Sequence, residues 1–80
     1  MSERVVVVEQ LFNRAFFAGR PKRSFAYRQG VKDLLRLRLE GVELRQSFAE
    51  GTAEADAWIS GLTEGVAIWD AYRTAMKVSG

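Results

Sequence analysis

The hydrophobic positions of this 80-residue chain predict one β-like segment followed by two helical segments. The four consecutive β-branched residues from Val5 to Val8 favour a strand, because branched side chains crowd a helical turn and pack well on a pleated sheet. Asn13-Arg14 can turn the chain, so that residues 15–18 return as the second strand of a hairpin. The alternative is a strand to Val8 followed by a short helix through Phe17.

The next segment carries the signals of a helix over residues 25–39. Ser24 stands at the N-cap position, apolar residues follow at helical spacing, and Gly41 stands where helices commonly end in glycine. The leucines of residues 35–39 also alternate with arginines, which is the pattern of a strand. In that alternative the chain turns at Glu40-Gly41 into a partner strand at residues 42–44. The start signal and the length favour the helix.

Residues 53–77 show the longest helical periodicity in the chain, with Thr52 as the predicted N-cap. Large apolar side chains at spacings of three and four predict its buried face: Trp58, Leu62, Val66, Trp69, Tyr72 and Met76. Gly61 and Gly65 lie one turn apart, and we expect them to admit a second backbone, at Gly30. The alternative is a helix that breaks near Gly61.

These elements predict an α+β fold with one small domain. The domain covers residues 1–80, as a strand or hairpin segment (1–18), a basic linker (19–23) and a helical pair (24–78). The strand or hairpin packs on two main helices, at about residues 25–39 and 53–77. A chain of this length buries only about 60–65% of its extended-chain surface, so its stability margin is thin. An uncovered apolar strand from Val5 to Val8 would also pair with its copy in a second molecule, which predicts a homodimer.

Composition argues against an enzyme. The chain has no histidine and no cysteine, so it lacks the readiest general base near neutral pH, the readiest nucleophile and the best zinc ligands. It also lacks the glycine motifs that cradle phosphates. We therefore predict a non-enzymatic protein with no cofactor and no metal. The longest apolar run is far short of the ~20 residues of a membrane span, and no signal peptide is evident, so we expect a cytoplasmic protein.

Positive charge lies almost entirely in the first half of the chain. Residues 1–45 carry a net charge of +5 and residues 46–80 carry −3, which together give the net charge of +2. Three cations recur every four residues along the first predicted helix, and three more precede it. These six residues form the predicted partner-binding patch: Arg20, Lys22, Arg23, Arg28, Lys32 and Arg36. A phosphate backbone or an acidic protein surface would satisfy such a patch, while the simplest alternative is a solvated helix face.

Two spaced motifs lie between residues 24 and 72. The first is Ala26-Tyr27-x-x-Gly30 at a helix start, and the second is Ala57-Trp58-x-x-Gly61-Leu62-x-x-Gly65. In these motifs the chain resembles small bacterial and phage proteins similar to ribosome modulation factor. The resemblance implies two helices joined by a loop in a compact module that binds ribosomal RNA. This chain differs in its added apolar N-terminal segment and in its acidic second half.

Residues 18–22 read Ala-Gly-Arg-Pro-Lys and resemble the AT-hook, whose core is Arg-Gly-Arg-Pro. The resemblance implies that Arg20 lies in the minor groove of DNA. Ala18 stands where the hook has its first arginine. A small DNA-binding regulator is therefore one of the functions to be considered.

The chain resembles the inhibitors of phages and mobile elements, such as anti-CRISPR proteins, in kind rather than in motif. The shared properties are small size, one-sided charge and the lack of catalytic side chains. We predict a stoichiometric inhibitor that docks on a host protein or ribonucleoprotein complex that handles nucleic acid, and that blocks nucleic-acid access. The alternatives are RNA or ribosome binding in the manner of ribosome modulation factor, and DNA-binding regulation.

Overall fold

The computed structural model describes residues 3–79, which form three helices. These are α1 (Glu3–Ala15), α2 (Phe25–Glu40) and α3 (Ala53–Ser79). α2 packs along α3, and α1 packs on α2. No strand occurs among the described residues, so the predicted α+β class is wrong and the fold is all-helical.

The strand or hairpin predicted for residues 1–18 is replaced by α1 over residues 3–15 and by the start of the following loop over residues 16–18. Val8 and Leu11 are buried and Phe12 is half-buried, at the spacing of one helix face. A valine costs a helix only a few tenths of a kcal/mol relative to alanine. Burial of this face against α2 outweighs that cost. Because the Val5 to Val8 run lies within α1, it offers no strand edge for the predicted pairing with a second molecule.

α2 confirms the helix predicted for this segment and extends it by one residue, to Glu40. The Ser24 Oγ accepts the Tyr27 backbone N–H at 3.2 Å, which is the predicted N-cap. Gly41 adopts a left-handed conformation with φ of 72°, and its N–H bonds the Leu37 carbonyl at 3.1 Å. The alternative hairpin over residues 35–44 is therefore wrong.

The two long helices touch through their backbones at glycines. A Cβ placed on Gly30 would collide with the Trp58 carbonyl, and one placed on Gly61 would collide with the Tyr27 carbonyl. At Gly65 a Cβ would lie 2.7 Å from the Cβ of Leu34. The predicted close approach at these glycines is confirmed, and α3 runs unbroken through them.

The buried face of α3 differs from the predicted one. Trp58 is buried, with 6% of its surface exposed, but Val66 and Met76 are exposed at 41% and 57%. Small residues occupy the inner positions instead, because the close approach of α2 leaves no room for large side chains there. The buried residues of the face are Ala55, Trp58, Gly61 and Gly65. Of the predicted residues, Leu62, Trp69 and Tyr72 are half-buried, as is Ile68.

The central core lies between α1 and α2. Val8, Leu11, Val31 and Leu35 form its buried centre, and Trp69 of α3 packs against it half-buried. The loop from α1 to α2 crosses one end of this core. That loop carries three of the six predicted binding residues.

Candidate functional site

Arg20 is the residue that fixes the loop between α1 and α2. Its guanidinium donates to both carboxylate oxygens of Glu64 in α3, with Nη1 at 2.8 Å from Oε2 and Nη2 at 2.7 Å from Oε1. Nη1 also donates to the Ala15 carbonyl at 2.5 Å, and Cζ lies 4.6 Å from the centre of the Phe16 ring. Arg20 is therefore engaged inside the protein, and the arginine of the AT-hook resemblance is held by a carboxylate.

A second donor completes the cluster around Glu64. The Tyr27 hydroxyl donates to Glu64 Oε1 at 2.5 Å. The hydrogen bond from Arg20 lowers the pKa of Glu64 despite partial burial, and the bond from Tyr27 adds to this effect. Burial raises the pKa of Tyr27, and its bond to Glu64 raises it further. A carboxylate that stays ionised thus joins the loop, α2 and α3.

A cavity of about 340 Å³ opens beside this cluster. We call it the loop cavity, lined by residues 16–23 of the loop and by Arg28 of α2. The described carboxylates all lie more than 4.0 Å from the side-chain nitrogens of Lys22, Arg23 and Arg28. These three cations are exposed, and the Arg23 guanidinium stacks over the Tyr27 ring at 4.7 Å from its centre.

The other two predicted cations are partly neutralised. The Lys32 ammonium lies 3.6 Å from Glu9 and 5.1 Å from the centre of the Phe12 ring of α1. Arg36 lies 3.6 Å from Glu40, one turn further along α2. The structure therefore brings four of the six predicted residues to the loop cavity and places Lys32 and Arg36 among carboxylates.

Exposed aromatic side chains accompany the free cations. Phe17 lines the loop cavity and is 60% exposed, while Phe25 at the start of α2 is 65% exposed. These are the two most exposed large hydrophobic side chains among the described residues. Phe16 and Phe17 are adjacent, and only Phe16 packs in the core, with its ring centre 4.8 Å from that of Phe12. The sequence does not distinguish the two phenylalanines, because which of them packs in the core depends on where α1 ends.

The role of Glu64 was not evident from the sequence. It lies 44 residues from Arg20, and a single glutamate on a predicted helix has no feature that marks its partner. Trp58 likewise donates from Nε1 to Asp33 Oδ2 at 2.9 Å, which joins α3 to α2. Both contacts position the helices and the loop rather than line the cavity.

Among residues 3–79 we find no group of three or more acidic, histidine or cysteine side chains placed to hold a metal ion. In the same part of the chain, no helix has the combination of length and hydrophobicity that a membrane crossing requires. No protein-family model, curated protein or solved structure matches this chain. The loop cavity, with its exposed cations, is therefore the feature of this structure that bears on function.

Proposed function

We propose that the protein is a non-enzymatic RNA-binding module that engages its ligand at the loop cavity. The observation that carries the proposal is the group of three exposed cations, Lys22, Arg23 and Arg28, whose side-chain nitrogens lie more than 4.0 Å from every carboxylate that the structure describes. Phosphate contacts to lysine and arginine supply most of the sequence-independent affinity of nucleic-acid-binding proteins. A carboxylate already in contact would have cancelled that attraction.

Two further features support RNA as the ligand. The resemblance to ribosome-modulation-factor-like proteins implies that the ligand is ribosomal RNA. Its spaced glycines Gly30, Gly61 and Gly65 are the positions at which the helices meet, so the shared motif describes a helix crossing in this chain. The exposed Phe17 ring beside the cations also suits an RNA ligand, because unpaired bases stack on aromatic side chains.

Binding to a labelled RNA oligonucleotide at several salt concentrations tests the proposal. Three phosphate contacts to single-stranded RNA predict a slope of about −2 for the logarithm of affinity against the logarithm of salt. Affinity should then fall about twentyfold between 50 and 200 mM salt. No binding by fluorescence anisotropy even at 50 mM salt would refute RNA binding.

A pair of matched variants locates the binding surface. Lys22→Ala with Arg28→Ala removes two free cations, while Lys32→Ala with Arg36→Ala removes the same net charge from sites already paired with carboxylates. We expect the first variant to lose about two-thirds of the salt slope and the second to lose little. Equal losses would contradict the assignment of binding to the loop cavity.

The second candidate is the stoichiometric inhibitor that docks on a nucleic-acid-handling complex. It is favoured by an apolar strip on α3, where Ile59 and Val66 are exposed seven residues apart and thus on one face. A protein partner could bury such an apolar strip, whereas the charged backbone of an RNA ligand could not. Under this proposal the protein co-purifies with a host complex and shows no shift of free RNA. Ile59→Ser with Val66→Ser would then abolish inhibition while leaving the loop cavity intact.

A further inference from the structure

We propose that the loop cavity holds one unpaired base of a single-stranded nucleic acid, with the Phe17 ring as its stacking surface. This inference rests on the proposed RNA-binding function and specifies the form of the ligand. It also assigns separate roles within the site. Phe17 contacts the base, Lys22, Arg23 and Arg28 contact the adjoining phosphates, and Arg20 positions the loop.

The number of cations and the chemistry of the lining together distinguish the loop cavity. Four cations line it, whereas one cation, Arg14, lines a largely apolar cavity of about 360 Å³ between α1 and α3. Two further surface cavities of about 420 Å³ each contain cations, but both also contain two carboxylates, Asp33 and Glu43 in one and Glu9 and Glu40 in the other. None of the residues that line the loop cavity is acidic. Its volume of about 340 Å³ also lies within the range of about 300–1,000 Å³ for pockets that take small organic groups.

The exposure of Phe17 leaves an aromatic face open to solvent at the edge of the cavity. The ring of its neighbour Phe16 is covered by Arg20 and packs against Phe12, so the core does not require a second phenyl group at this point. A stacked base would cover Phe17, and its phosphates would then lie near the exposed ends of Lys22 and Arg28. Alternating aromatic and cationic contacts of this kind are the usual arrangement in single-strand-binding grooves.

The loop is held in shape before any ligand arrives. Arg20 is bound at both ends of its guanidinium, Gly19 adopts φ of 100°, and Pro21 has a fixed φ. The Arg20 backbone N–H also bonds the Phe17 carbonyl at 3.1 Å. A loop with these restraints loses little conformational freedom on binding, so more of the stacking energy appears as affinity.

The arrangement predicts discrimination between single strands and duplexes. A base in a duplex is stacked on both sides and paired on its edge, so its faces are closed to Phe17. We therefore expect an oligouridine of about twelve nucleotides to bind more tightly than a duplex of the same length, by about tenfold or more. Single-stranded DNA of the same length should bind comparably, because nothing in the proposed contacts uses the 2′-hydroxyl.

The experiment measures anisotropy of labelled oligouridine and labelled duplex with the full chain and three variants. Phe17→Ala should weaken oligouridine binding by about five- to 150-fold, and Phe17→Trp should retain it. Phe25→Ala is the matched control, because Phe25 is equally exposed but lies outside the lining of the cavity. It should change affinity by less than about twofold. Circular dichroism checks that each variant is folded.

The outcomes separate this inference from the proposed function. If Phe17→Ala binds as tightly as the unaltered chain, or if duplex and single strand bind equally, the base-stacking role is refuted. RNA binding itself then survives, provided that Lys22→Ala with Arg28→Ala still weakens it. If neither ligand binds the unaltered chain, both the proposed function and this inference fall.

Discussion

Gly61→Ala is the substitution for which the structure gives the sharpest expectation. The Cβ of alanine at this position would collide with the Tyr27 carbonyl oxygen and would lie 3.1 Å from the Cα of Gly30. Both obstacles belong to the backbone of α2. No side-chain rotation can relieve the contact, so α2 and α3 must separate along the interface that carries most of the packing between helices.

The magnitude follows from two opposing effects. Alanine is favoured over glycine inside a helix by about 1 kcal/mol. Adding atoms to a well-packed contact costs about 1–3 kcal/mol and occasionally more, and a backbone obstacle places the cost at or above the upper end. We therefore expect a net loss of about 2 kcal/mol in the free energy of unfolding. For a domain of this size, that loss lowers the Tm by about 8–16 °C.

Urea denaturation followed by circular dichroism and tryptophan fluorescence measures the effect. Ser60→Ala is the matched control, because Ser60 is exposed on the same helix and a Cβ is already present there. The control should be neutral or slightly stabilising. A Gly61→Ala protein as stable as the control would show that α2 and α3 do not make this contact, and the helix crossing described above would be wrong.

Three further substitutions test the packing and the partly buried polar contacts. Because the folded-state pKa of Glu64 is lowered, its ionised form stabilises the fold above the unfolded-state pKa of about 4.3, and that contribution disappears as the pH falls through the lower folded value. The urea midpoint should therefore drop between pH 5 and pH 3, and Glu64→Gln should flatten this pH dependence. If the Glu64→Gln protein shows the same pH dependence as the unaltered protein, the contact between Glu64 and Arg20 contributes nothing to stability. Trp58→Phe removes the hydrogen bond to Asp33 and should cost about 1.5 kcal/mol, the lower end for a bond to a charged group, since Asp33 is only half-buried. Leu35→Ala empties the centre of the core and should cost about 2–5 kcal/mol by urea denaturation, whereas a loss under 1 kcal/mol would contradict its burial.

The helices α2 and α3 could be predicted from the sequence because their signals are local. Ser24 and Thr52 cap them within three residues of their targets, and Gly41 ends α2 with its own backbone conformation. Such interactions join residues that are close in the sequence, so the local sequence pattern is enough to predict them. The glycine spacing also predicted the helix crossing. Two glycines one turn apart leave part of the helix surface without side chains, and the usual reason for such a surface is that a second helix packs there.

α1 could not be predicted, because its local preference and its tertiary packing disagree. The run of valines favours a strand, while Val8 and Leu11 are buried at helical spacing against α2. Whether strand propensity or helical packing prevails depends on the surface that α2 provides. That surface cannot be predicted from the residues of α1 alone. The inner face of α3 was mispredicted for a related reason. Large apolar residues were taken as its centre, but Gly61 and Gly65 occupy that position.

The candidate site was predicted in part. The cations around residues 20–28 could be identified from their clustering in the sequence. Their division into a bound arginine, free cations and neutralised ones depends on Glu64, Glu9 and Glu40, which lie on other helices or further along the same one. Charge clustering in a sequence gives the sign of a surface. It does not show which cations the protein itself has already neutralised.

The ion pair between Arg20 and Glu64 affects the point during synthesis at which the loop takes its final shape. Residues 16–23 leave the ribosome long before residue 64, and until then Arg20 lacks the carboxylate that joins the loop to α3. A nascent chain that ends before Glu64 thus carries the cations without the restrained shape of the loop cavity. Under the proposed function, ligand binding during synthesis should accordingly begin only after α3 has emerged and docked, which would couple binding to the completion of folding.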